Sequence, residues 1–135
     1  MTPAESVVDA SVVVRGLTGE DENAVALLLG VAAGRAKAHA PDLLVAEVTN
    51  ALNRYIRTRR TALSDAMAFL ETLASCPIRL HPSSDLAPGA LAVAVARAIS
   101  AYDSFYAVLA ETLGVPLVTA DRRLASAVAN AVLVE

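Results

Sequence analysis

Across its 135 residues the chain carries one cysteine, two histidines and one lysine, and each shortage removes a class of function. Cys76 alone cannot close an internal disulfide, which agrees with a reducing compartment. Neither Cys76 nor the pair His39 and His81 falls at zinc-binding spacing. Although 56% of the residues are hydrophobic, no run of about 18 uncharged apolar residues exists to span a bilayer. The opening Met1-Thr2-Pro3-Ala4-Glu5 lacks a basic stretch and a long apolar core, so no signal peptide is expected and the cytoplasm is the expected compartment. No G-x-G-x-x-G follows the first strand-like run, which excludes the dinucleotide-binding fingerprint. With no repeat, low-complexity tract or linker, residues 1–135 read as one domain. A domain of this size withdraws roughly two-thirds of its unfolded surface from water, enough for a proper core.

What the chain does have is four acids in poorly matched surroundings. Asp9 closes the run Ser6-Val7-Val8, and Glu47 interrupts Leu43-Leu44-Val45-Ala46 and Val48. Asp103 lies among Tyr102, Phe105 and Tyr106, and Asp121 follows Leu117-Val118-Thr119-Ala120. An isolated carboxylate leaves water at high cost unless it is paired, protonated or metal-bound. Acids placed this way in four separate segments point to convergence around a cation.

The formal net charge of −3 argues against a general nucleic-acid coat protein, but the positive charge is clustered. Arg54, Arg57, Arg59 and Arg60 crowd one segment, and Arg122-Arg123 follow Asp121 directly. Arginines around an acidic centre suit a phosphate-bearing substrate, which needs both metal and guanidinium contacts. The plainer reading of the first cluster is a solvated helix end, with cations near its negative pole.

Short β-branched runs alternate with longer Ala/Leu-rich periodic segments. Strands are predicted over 6–9, 37–40, 78–80, 117–119 and 132–134. Helices are predicted over 11–17, 20–34, 42–59, 64–75, 88–99, 101–113 and 122–129. Leu44, Val48, Ala51, Leu52 and Tyr55 share one face of the third helix, and Gly114 with Pro116 stops the sixth. This alternation implies right-handed crossovers and an α/β domain: a central, mostly parallel sheet of about five strands flanked by helices on both faces.

In such sheets ligands bind beyond the carboxyl ends of the strands, where strand order reverses. Asp9 and Asp121 end predicted strands, while Glu47 and Asp103 lie about one turn into their helices, so all four can reach one rim. Four neighbouring carboxylates raise one another's pKa, and a hard divalent cation relieves the repulsion. All-oxygen ligation favours Mg²⁺, with Mn²⁺ possible, over zinc or copper. Ser11 and Thr119, each two residues from an acid, are placed to orient a carboxylate or a metal-bound water. Arg54, seven residues after Glu47, projects from nearly the same helix face toward the substrate backbone. Arg122, next to Asp121, is a further substrate contact.

Each acid also has an ordinary structural reading. Asp9 and Asp121 can serve as N-caps, and Ser100-Ala101-Tyr102-Asp103 matches a capping box. Glu47 can snorkel or pair with Arg54. Tyr55, Tyr102, Phe105 and Tyr106 read as core or interface rather than as base-stacking residues.

The segments Val7-Val8-Asp9-Ala10-Ser11, Leu44-Val45-Ala46-Glu47-Val48-Thr49-Asn50-Ala51-Leu52, Tyr102-Asp103-Ser104-Phe105-Tyr106-Ala107-Val108-Leu109-Ala110-Glu111 and Leu117-Val118-Thr119-Ala120-Asp121 together resemble the PIN-domain family. In order and spacing they look like the VapC-type toxins of bacterial toxin–antitoxin pairs. The resemblance implies a Mg²⁺- or Mn²⁺-dependent endoribonuclease whose metal-binding and catalytic acids match Asp9, Glu47, Asp103 and Asp121. It also implies homodimerisation, inhibition by a small cognate antitoxin, and an RNA substrate such as a tRNA or rRNA loop. Many family members carry another acid or an Asn after the last Asp; here Arg122, Arg123, Leu124 and Ala125 stand instead.

Two other readings compete. A different Mg²⁺-dependent phosphotransfer domain would need paired acids after the first strand and a late lysine, or D-x-D at that strand. The chain has Asp9-Ala10-Ser11, and its lysine is Lys37. A catalytically silent PIN-like protein-interaction module would have no need of the complete acidic set.

Overall fold

The computed structural model describes residues 2–135. Its strands are β1 (Glu5–Val8), β2 (Lys37–Pro41), β3 (Arg79–His81), β4 (Leu117–Thr119) and β5 (Ala131–Leu133). Its helices are α1 (Ala10–Thr18), α2 (Glu22–Ala32), α3 (Leu44–Arg57), α4 (Leu63–Ser75), α5 (Ser83–Arg97), α6 (Ala101–Leu113) and α7 (Arg122–Ser126). The sheet runs β3-β2-β1-β4-β5, and every pairing is parallel. The expected single α/β domain with five parallel strands is thus what the chain forms.

Burial follows from the topology. Neighbouring strand residues point to opposite faces, yet Val7 and Val8 are both fully buried, so β1 is covered on both sides. On one helical layer α1 packs against α2, α3 and α4; in the other, α6 packs against α5 and crosses β1, β2 and β4. The core of α3 is the predicted stripe of Leu44, Val48, Ala51 and Leu52. Close approach of α1 to α2 depends on Gly16, where a Cβ would stand 2.5 Å from Leu28 Cδ1 and 2.9 Å from the Ala24 carbonyl oxygen.

One helix departs clearly from expectation. The fifth was expected to begin at Pro88, because proline suits a first turn. In the structure α5 begins at Ser83 and contains Pro88. Proline there removes one N–H from the second turn, on an exposed face, while the helix as a whole packs on α6. The last helix is shorter than expected, ending at Ser126.

The chain lays β1, β2 and β3 in one direction, then crosses back to place β4 on the other side of β1. Strand order therefore reverses between β1 and β4, whose carboxyl ends lead directly into Asp9 and Asp121.

Candidate active site

Asp9 stands at the end of β1 in extended conformation and caps α1, accepting from the Ala10 N–H at 2.8 Å. Its second oxygen accepts from the Ser11 hydroxyl at 2.7 Å and the Thr119 hydroxyl at 2.8 Å. Those hydroxyls are themselves fixed. Ser11 Oγ accepts from the Ala120 N–H and Thr119 Oγ1 from the Asp121 N–H, both at 3.0 Å. The ends of β1 and β4 are thereby laced together through one carboxylate. Burial pushes the Asp9 carboxyl above its ordinary range; the bonds from Ser11, Thr119 and Ala10 oppose that, and the nearby Asp121 charge adds to it.

Asp121 caps α7, accepting from the N–H groups of Arg123 at 2.8 Å and Leu124 at 3.4 Å. Glu47 sits in the first turn of α3, half-buried, and its Oε1 accepts from the Tyr106 hydroxyl at 2.6 Å. Burial raises the Glu47 carboxyl, the Tyr106 bond lowers it, and the charges of Asp9 and Asp103 raise it further. Asp103 follows the Ser100 cap of α6. It too is raised, first by burial and then by Asp9 and Asp121, against the pull of Ser100 and Arg123. Asp9, Glu47 and Asp103 thus each feel the charge of another of these acids: residues scattered in the sequence become neighbours in the fold. Capping and convergence are compatible, since Asp9 and Asp121 do both.

Asp9, Glu47 and Asp121 line a cleft of about 560 Å³; Asp103 lies off its wall. Among the described residues, no three His, Cys, Asp or Glu side chains gather closely enough to cage an ion. The carboxylates instead border an open space. That arrangement suits Mg²⁺, which retains several waters and takes only one or two carboxylates directly.

Of the other expected contacts, Ser11 and Arg54 line the cleft, while Thr119 is buried beneath it, bonded to Asp9. Arg122 does not line it: its mostly exposed side chain pairs with Glu135. The arginine cluster divides, with Arg54 and Arg60 on the cleft and Arg57 and Arg59 off it. Arg15, Asn50 and Thr58 also line the cleft and had no sequence signal of their own. Tyr106 belongs to the core, as expected, but its hydroxyl also holds Glu47. Its position three residues after Asp103, on the same helical face, was the available clue.

Residues 6–130 match the PIN domain. The chain belongs to the PIN-domain family. Ribonuclease VapC3 of Mycobacterium tuberculosis is 36% identical over 125 residues, covering 93% of this chain and 88% of that protein. Ribonuclease VapC1 of the same organism is 35% identical, covering 91% and 90% respectively. Among solved structures, PAE2754 from Pyrobaculum aerophilum superposes with a TM-score of 0.72 at 27% identity, covering 96% of this chain and 88% of that one. VapBC2 from Rickettsia felis, solved with a promoter DNA fragment, has a TM-score of 0.65 and covers 96% of each chain; at 11% identity it speaks to the fold alone.

Proposed function

We propose that this PIN domain is an endoribonuclease dependent on Mg²⁺ or Mn²⁺ and acts as the toxin of a type II toxin–antitoxin pair. The observation that carries the reading is that Asp9, Glu47 and Asp121 line one cleft at the reversal point of the sheet, with Asp103 near enough for its charge to act on Glu47. Support comes from relatives named Ribonuclease VapC. A bound divalent cation would supply an acidified water and offset charge on the phosphodiester in the transition state.

The chain's own residues do the rest. Asp9, Glu47 and Asp121 would hold the cation from the cleft wall, directly or through its waters, and Asp103 adds negative potential beside them. Ser11 and Thr119 fix the orientation of Asp9, as Tyr106 fixes Glu47. Arg54 binds a substrate phosphate in the same cleft, where it offers two parallel N–H donors. The substrate is structured RNA opened at a tRNA or rRNA loop, whose unpaired strand fits an open cleft. A cognate antitoxin restrains the enzyme, the toxin forms a homodimer, and the work is done in the cytoplasm. Among the described residues no single helix is long and apolar enough to cross a membrane.

The test is incubation of purified protein with total cellular RNA, with and without Mg²⁺, and mapping of cut sites by sequencing. Cleavage should require the metal and recur at one loop class. Asp9→Asn should reduce it more than about 100-fold, beyond the usual 10–100-fold for losing an outer partner, while far-UV circular dichroism stays unchanged. Undiminished cleavage by that variant would reject the assignment.

A further inference from the structure

The end of the cleft away from the acids is built differently. Glu20, between α1 and α2, accepts from the Tyr55 hydroxyl at 2.6 Å and the Thr18 hydroxyl at 2.8 Å through one oxygen. Its other oxygen accepts from the Arg60 guanidinium at 2.7 Å. The guanidinium carbon of Arg60 stands over the Tyr55 ring, 3.7 Å from its centroid. Tyr55, Arg60 and Thr58 all line the cleft.

The backbone brings this about. Arg59 adopts φ 60, the left-handed conformation usually left to glycine, immediately after the Thr58 cap of α3. The turn is closed by Arg59 N–H to the Ile56 carbonyl at 3.1 Å and Arg60 N–H to the Tyr55 carbonyl at 2.8 Å. Arg60 is thereby folded back over its own helix and onto Tyr55. Glu20 is held in turn by its N–H, which donates to the Arg15 carbonyl at 3.0 Å.

Phosphate binding is a weak use for this arginine. Its charge is already paired with Glu20, so little is left to attract an anion. What remains is shape: the inner face is covered by Tyr55, one edge is taken by Glu20, and the side chain is still 50% exposed. The free part is the outer face and the remaining edge. Unpaired bases stack on aromatic rings and on flat guanidinium groups, largely irrespective of sequence. Tyr55 is eight residues beyond Glu47, about 12 Å along α3. A strand whose scissile phosphate lies at the acids therefore brings a neighbouring nucleotide to this rim.

We propose that Tyr55 and Arg60 form a stacking platform for an unpaired nucleobase flanking the cleaved phosphate, with Glu20 as the positioning residue that holds the platform flat. Arg54 and Arg15 line the cleft and contact the strand's backbone. The inference rests on the ribonuclease reading, and it assigns the substrate a single-stranded segment on that side of the cut.

The test uses short single-stranded RNAs spanning the mapped cut site, with 2-aminopurine placed at each position in turn and divalent ions withheld so that the strand stays intact. One position beside the cut should be quenched on binding the full-length protein. Arg60→Lys keeps the charge but loses the plane; it should abolish that quenching and weaken binding about tenfold, the loss of one stacked base. Glu20→Ala separates stacking from charge. Removing an acid beside an RNA site should tighten binding if electrostatics alone mattered, whereas loss of the platform's support should weaken it and dim the quenching. Thermal melts of both variants check folding. Quenching and affinity retained in Arg60→Lys, or tighter binding by Glu20→Ala, would overturn the platform while leaving the nuclease in place. Absence of RNA binding and cleavage by the unaltered protein would overturn both.

Discussion

At the Asp9 end of the cleft, buried and half-buried carboxylates face one another, and three of them hold their protons above the usual range. At the Glu20 end, burial alone would raise the carboxyl too, but Tyr55, Thr18, Arg60 and Arg15 together hold it below its ordinary value. The cost of leaving water has the same sign at both ends; the neighbours decide the outcome. One end is left with unrelieved like charge, and the other is already neutralised and offers a fixed surface. A cleft with those two ends can separate chemistry from recognition along one helix, since Glu47 and Tyr55 both belong to α3.

The contrast can be broken first at the support of the acidic end. Tyr106→Phe removes the hydroxyl from Glu47 and leaves the ring in place. Cleavage should fall about 10-fold, the lower part of the range for an outer partner. Steady-state kinetics should show the loss in kcat more than in KM, because the side chain orients an acid and touches no substrate. An unchanged kcat would place Tyr106 purely in the core.

A pair of matched neutral substitutions sharpens the contrast by sign. Asp103→Asn removes one of the mutually repelling charges, and without divalent ions it should stabilise the fold by up to about 1 kcal/mol. Glu20→Gln removes a charge that is satisfied by a partly exposed ion pair, and should destabilise it by less than about 1 kcal/mol. Urea unfolding of both variants reads the two signs. Equal signs would erase the distinction between the ends.

The smallest expected effect concerns a third cluster, away from the cleft. Glu5 bonds to His39 at 2.7 Å, and the other nitrogen of His39 bonds to His81 at 3.0 Å. The bond from His39, then the charges of His39 and Lys37, hold Glu5 low against burial, while burial, then His39 and Arg79, push His81 low. A histidine with a depressed folded pKa binds protons more readily when unfolded. Its contribution is therefore lost as pH falls below the ordinary 6.5 toward the folded value. Glu5 adds a loss of the same sign lower down, beginning near its ordinary 4.5. Melting temperatures between pH 7.5 and 5 should show the unaltered chain losing ground relative to His81→Asn. Parallel pH profiles would remove His81 as the cause.

Much of this was legible in the sequence, for a physical reason. Asp9 and Asp121 were visible because a strand-like run ends in each of them, and parallel strands gather their carboxyl ends by construction. Glu47 and Asp103 followed from one turn of helix. The start of α5 was not legible, because Pro88 is a valid first-turn residue and only packing on α6 reveals that the helix begins earlier. The Glu20–Tyr55–Arg60 cluster was hidden more deeply. It joins residues 35 and 40 positions apart through a left-handed turn at Arg59, where no glycine announces it. Arg122 was placed by proximity in sequence to Asp121, and its pairing with Glu135 depends on where the chain's last strand ends.

The most direct measurement is a calorimetric titration of Mn²⁺ into the unaltered protein and into Asp9→Asn and Asp121→Asn, accompanied by thermal melts at each metal concentration. Saturable binding that raises the melting temperature of the unaltered chain, and that is strongly weakened in both variants, is the expected result. Binding of equal strength in all three proteins, or no binding in any of them, would contradict the claim that these carboxylates are gathered to hold a cation.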